Sequence, residues 1–161
     1  MNDNPFYIVG FMGTGKSTLF SFLKEYGEVI DLDLVIESMT GMEIATYFDR
    51  YGESAFRDVE SKVLQQVTAD YILTGGGVVE RSENICWMRE RGTTIHLNLP
   101  FDMCWERIKD SALLVKRGRE DVHALFQRRD QLYREASESI DASQSPEDIA
   151  KQIIRIKGEK V

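Results

Sequence analysis

Short apolar runs alternate along this chain with stretches in which apolar residues recur every three or four positions. Phe6-Tyr7-Ile8-Val9 is a continuous apolar run that stops at Gly10, the pattern of a strand buried on both faces. From Lys16 to Tyr26 the apolar residues Leu19, Phe20, Phe22 and Leu23 fall close to helical spacing, and Gly27 ends that helix. Glu28 to Asp31 reads as a second short strand. Leu34 to Met39 and Glu43 to Tyr51 read as short helices, and Glu53 to Ala69 as a longer one. Tyr71-Ile72-Leu73 is the next strand, followed by Gly75-Gly76-Gly77. A helix over Glu80 to Arg91 leads to a strand over Thr94 to Leu99, closed by Pro100. Asp102 suits the N-cap of a helix running to about Lys109, and Glu120 to Ala136 forms another helix. Ser139 to Ala142 is a weak last strand. Ser145-Pro146-Glu147 supplies the cap and first turn of a final helix to about Lys157. Five strands with intervening helices predict an α/β fold, a three-layer α/β/α arrangement around a five-stranded parallel sheet. Right-handed crossovers would set all strand C-terminal ends on one edge, where ligands bind.

Composition narrows the partners. The 161 residues suit one compact domain, with no linker or repeat to divide them. With 27 acidic against 20 basic residues the net charge is −7, so a nucleic acid would meet repulsion rather than release counterions. An anionic ligand must be held by a local cluster of donors. Cys86 and Cys104 lie in amphipathic stretches without metal-ligand spacing, which predicts two buried thiols and a reducing, cytoplasmic setting. The first residues carry no basic leader, and no apolar run approaches a membrane span.

The strand-to-helix junction carries the clearest chemistry. Gly10-Phe11-Met12-Gly13-Thr14-Gly15-Lys16-Ser17 matches G-x-x-x-x-G-K-[ST], the phosphate-binding P-loop. Its glycines let backbone N–H groups converge on phosphate oxygens. Lys16 would reach the β- and γ-phosphates of ATP, and the Ser17 hydroxyl would ligate Mg²⁺. Gly13, Thr14, Gly15, Lys16, Ser17 and Thr18 form the expected nucleotide-binding set. After the second strand, Asp31-Leu32-Asp33 places two carboxylates two residues apart. Strand alternation would direct both to one side, Asp31 toward the metal and Asp33 toward an acceptor hydroxyl.

These motifs, in this order, resemble the shikimate kinases, a P-loop family of NMP-kinase-like fold. The resemblance runs from Tyr7 to the last helix. It rests on the P-loop, Asp31-Leu32-Asp33, Gly52-Glu53-Ser54-Ala55-Phe56-Arg57 with Glu60, Gly75-Gly76-Gly77, and Arg129-Asp130-Gln131-Leu132-Tyr133. It implies phosphorylation of shikimate by ATP with Mg²⁺, in aromatic amino-acid biosynthesis, by a cytoplasmic monomer. Asp31 would then help hold Mg²⁺, and Asp33 would bind shikimate hydroxyls and act as base. Arg57 and Arg129 would clamp the substrate carboxylate, with Glu60 positioning Arg57. Gly75, Gly76 and Gly77 would bring backbone close to the ring, and Arg107 and Pro146 would flank adenine. The substrate segment would span about 33–60 and the mobile lid about 109–119.

One stretch departs from the family. Its lid usually carries Arg-Pro-Leu, whose arginine closes on the transferred phosphate. Here Lys109-Asp110-Ser111-Ala112-Leu113-Leu114 stands in that place, a few residues short and without arginine or proline. Lys116, Arg117 and Arg119 follow, and Arg117 is the expected substitute among the catalytic residues Lys16, Asp33 and Arg117. Two alternatives stay open: a nucleotide- or shikimate-binding homologue with a degenerate lid, weakly active or inactive, and a kinase of another small hydroxy acid. His96 and His123 lack partners at ligand spacing and read as structural. Trp87 and Trp105 read as partial core.

Overall fold

A computed structural model describes residues 4–111 and 118–159. Five strands form one parallel sheet: β1 (Phe6–Val9), β2 (Val29–Asp31), β3 (Tyr71–Leu73), β4 (Thr93–Asn98) and β5 (Glu138–Asp141), in the order β2-β3-β1-β4-β5. The helices are α1 (Phe20–Leu23), α2 (Leu32–Thr40), α3 (Ile44–Tyr51), α4 (Glu53–Gln66), α5 (Ser82–Arg91), α6 (Phe101–Ile108), α7 (Arg119–Tyr133) and α8 (Pro146–Glu159). Every residue of β1 and β3 is buried, as unbroken apolar runs require at the centre of a parallel sheet covered on both faces. Ile8 is in register with Leu73 on one side and Ile95 on the other. The expected three-layer α/β/α fold is therefore present.

Strand β1 is the pivot of the topology. The chain passes from β1 outward to β2, returns to insert β3 beside β1, then crosses to β4 on the other side. The carboxyl end of β1 thus lies where the winding reverses, and the loop after Val9 opens there. Thr74, just past β3, donates its hydroxyl to the carbonyl of Ile8 at 2.6 Å and ties this edge together.

Several boundaries differ from the sequence expectation. A continuous helix from Lys16 is replaced by a 3-10 turn at Ser17–Leu19 and a single α turn, α1. Helix α2 begins at Leu32, two residues early, because the Asp31 side chain accepts from the N–H groups of Asp33 and Leu34 and caps it. Asp33 therefore lies in a first helical turn, and strand alternation does not relate the two carboxylates. Val78–Glu80 is a separate 3-10 turn before α5. Pro100, not Asp102, occupies the N-cap position of α6. Cys104 is buried as expected, whereas Cys86 is exposed on the outer face of α5.

Candidate active site

The loop after β1 owes its shape to two glycines in the left-handed region, Gly13 at φ 84° and Gly15 at φ 92°. A side chain at Gly13 would also press on Ile108 Cγ2 at 2.9 Å and the Cys104 carbonyl at 3.0 Å. Loop side chains brace the turn: the Thr14 hydroxyl donates to the carbonyl of Phe11 at 2.8 Å and that of Thr18 to Gly15 at 2.6 Å. Arg107, reaching from α6, donates to the Gly13 carbonyl at 2.8 Å. Lys16 Nζ donates to the carbonyls of Gly10 and Phe11, the latter at 3.0 Å. Only a 3-10 turn and a single α turn follow the loop, so a long helix dipole adds little here.

Asp31 and Asp33 face this loop across a cleft of about 340 Å³, lined also by Met12, Gly13, Gly15 to Thr18 and Leu73 to Gly76. Burial, reinforced by the Asp31 charge, raises the Asp33 carboxyl to about 6, with Lys16 opposing the shift. Burial likewise lowers Lys16 to about 8, against the attraction of Asp33. A carboxyl and an ammonium, each shifted toward neutrality, therefore share one cleft, a combination chemically able to take up a proton beside an anion.

The two predicted arginines are both buried, with 7% of each exposed. Arg57 on α4 donates to Glu60 Oε1 at 2.8 Å and to Glu53 at 3.3 Å, and its guanidinium stacks over Phe48 and Phe56. Its Nε and Glu60 Oε2 are buried without a hydrogen-bond partner, an incomplete network aimed at the glycine run. Arg129 on α7 lies with Nη1 3.4 Å from where a Cβ on Gly76 would sit. The glycines are required by these neighbours as well as by any ligand. A Cβ on Gly75 would fall 2.8 Å from Asp33 Oδ1 and 3.2 Å from Glu60 Oε2. One on Gly77 would collide with Arg57 Nη2.

Three contributors carried no site role in the sequence reading. Glu80 accepts from Arg129 Nε at 3.1 Å and from both Nε and Nη2 of Arg128. Tyr133 donates its hydroxyl to the Gly76 carbonyl and stacks on buried His96, whose burial lowers its imidazole to about 4. Thr74 is the third. The glycine run and, for Tyr133, the motif that begins at Arg129 are their signals in the sequence, because each acts across a long separation. Of the expected adenine flank, Arg107 holds the loop, and Pro146 is exposed at the start of α8; neither lines the cleft. Lys116 and Arg117 lie outside the described residues. Arg119, the third lid cation, is engaged by Asp102 at 2.5 Å and by the ring of Phe101.

A phosphate-binding loop at the switch point of a parallel sheet, opposite a carboxylate pair, defines the P-loop kinases of small molecules. The family model for shikimate kinase matches residues 12–157. A shikimate kinase from Thermodesulfovibrio yellowstonii is 37% identical over 158 residues, covering 92% of this chain and 91% of the relative. Among solved structures, shikimate kinase from Aquifex aeolicus superposes with a TM-score of 0.84 at 33% identity, covering 96% of both chains. Shikimate kinase from Acinetobacter baumannii, in complex with shikimate, gives 0.88 at 32% identity, covering 99% of this chain and 96% of the other. This chain belongs to the shikimate kinase family.

Proposed function

We propose that this protein transfers the γ-phosphoryl group of ATP to the 3-hydroxyl of shikimate. The observation that carries the reading is the P-loop facing Asp33, raised to about 6, across one cleft beside two buried arginines. Family membership directs that chemistry to shikimate. The hydroxyl oxygen bonds to the γ-phosphorus as the bond to the β-bridging oxygen breaks, releasing ADP. The hydroxyl proton passes to Asp33, ionised above pH 6. Loop N–H groups and Lys16 neutralise charge on the phosphates. Arg57 and Arg129 bind the substrate carboxylate as guanidinium forks, and the backbone of Gly75 to Gly77 receives the ring.

Ser17 and Asp31 both line the cleft, and hydroxyl and carboxylate oxygens suit a hard divalent cation. They would hold Mg²⁺, which supplies charge neutralisation on the phosphates. In the lid, whose extent of about 109–119 rests on sequence, Arg119 is engaged elsewhere. Of the remaining candidates Lys116 and Arg117, the reading from sequence assigns the role of the family's arginine to Arg117.

The test is ADP release with shikimate and with gluconate as acceptors, with and without a chelator. Turnover with shikimate alone, abolished by chelation, is the expected result. Equal turnover with gluconate would redirect the substrate, and saturable shikimate binding without ADP release would leave a binding protein.

A further inference from the structure

Arg129 does not stand alone beside the glycine run. Its Nε is committed to Glu80 Oε2 at 3.1 Å, and Glu80 ends the 3-10 turn that follows Gly77 directly. Glu80 is in turn gripped by the fork of Arg128, Nε to Oε1 at 3.3 Å and Nη2 to Oε2. Arg128 is largely exposed, whereas the Arg129 side chain is 8% and that of Glu80 15% exposed. Partial burial alone would raise the Glu80 carboxyl, but hydrogen bonds from Arg128 and the charge of Arg129 outweigh it and hold it low. The trio of one carboxylate and two guanidinium groups retains one positive charge. One turn further along α7, Tyr133 fastens to the Gly76 carbonyl, so the helix is joined to the segment Gly75 to Glu80 at two points.

A guanidinium has an end-on edge formed by its two Nη groups and a side edge that includes Nε. With Nε occupied by Glu80, the plane and direction of Arg129 are fixed, and Nη1 projects toward Gly76 on the cleft wall. Resting on the function proposed above, we propose that Glu80 is a positioning residue that sets Arg129 end-on to the substrate carboxylate, while Arg128 cancels the Glu80 charge that would otherwise repel that carboxylate. Glu80 thereby contributes to discrimination between a free acid and its uncharged analogue.

The experiment compares wild type with E80A, E80Q and R128A. It measures KM and calorimetric Kd for shikimate, the Ki of shikimate methyl ester, and KM for ATP. E80A should raise the shikimate KM about tenfold or more, since misaligned binding groups carry costs of that order. Its ester Ki and ATP KM should stay within about twofold. E80Q, which keeps an acceptor for Arg129 Nε, should lie closer to wild type than E80A. R128A, a change at an exposed side chain, should raise the shikimate KM about threefold. A folded E80A with unchanged shikimate KM, or one that weakens acid and ester equally, overturns the proposal. If E80A does not fold, an unchanged shikimate affinity in R128A overturns it instead. Wild type that binds shikimate without releasing ADP sinks the kinase reading, yet the Kd series still decides on Glu80. Wild type that does not bind shikimate sinks both.

Discussion

At the scale of single residues, Asp33 and Lys16 set opposing limits on pH. Asp33 must be ionised to accept a proton and Lys16 protonated to draw a phosphate. With one raised to about 6 and the other lowered to about 8, kcat/KM for shikimate should climb through pH 6 and decline above pH 8. A profile flat from pH 5 to 7 would remove Asp33 as base. The same shift has a cost in stability. Because the folded state raises Asp33 above its ordinary value, the stability it contributes is full below about pH 4 and lost as pH rises through 6. D33N should therefore melt about 3 °C or more above wild type at pH 7.5 while losing at least about 10²-fold in kcat. The melting difference should vanish near pH 4. Thermal scans at both pH values check the sign.

At the scale of elements, the glycine run after β3 is a packing joint between α2, α4 and α7. G77A should drive the new Cβ into the Arg57 guanidinium, which has little room to retreat because Glu53, Glu60 and two phenylalanine rings surround it. The expected outcome is a rise of about tenfold or more in the shikimate KM, with the ATP KM nearly unchanged. Steady-state kinetics with each substrate varied check this, and equal rises in both KM values would refute it. This joint also marks how far the sequence could be read. The P-loop and the strands at Phe6 and Tyr71 were legible because each is a local pattern. The helical placement of Asp33 was not, because strand ends and helix starts look alike where Asp31 caps the very next residue. Cys86 was misjudged because α5 mixes apolar and polar positions with little amphipathic bias. The contact of Glu80 with Arg129 spans 49 positions and leaves no periodic trace.

At the scale of the whole molecule, the last helix is locked to the first strand. Lys157 Nζ donates to the carbonyls of Asn4 at 2.8 Å and Asp70 at 3.3 Å and lies over the rings of Phe6 and Tyr71. Burial lowers its ammonium, as expected of a group drawn out of water. This clasp sits away from the cleft, so K157A should cost about 1–2 kcal/mol of stability while kcat stays within about twofold. Denaturant unfolding beside an activity assay checks both halves, and a loss of kcat without a loss of stability would contradict it. Among the described residues no helix is long and apolar enough to cross a membrane.

The hold of Lys16 on the carbonyls of Gly10 and Phe11 has a consequence for how the nucleotide is gripped. A phosphate recruiting this ammonium takes it from existing partners, so the encounter is an exchange and yields a modest net gain in ground-state affinity. As negative charge builds on the oxygens in flight, the same ammonium answers a demand the carbonyls cannot match. K16M should consequently weaken ATP binding only several-fold while depressing kcat by about 10²-fold or more. Comparing calorimetric affinity with single-turnover rate would expose the reverse ranking, if it holds.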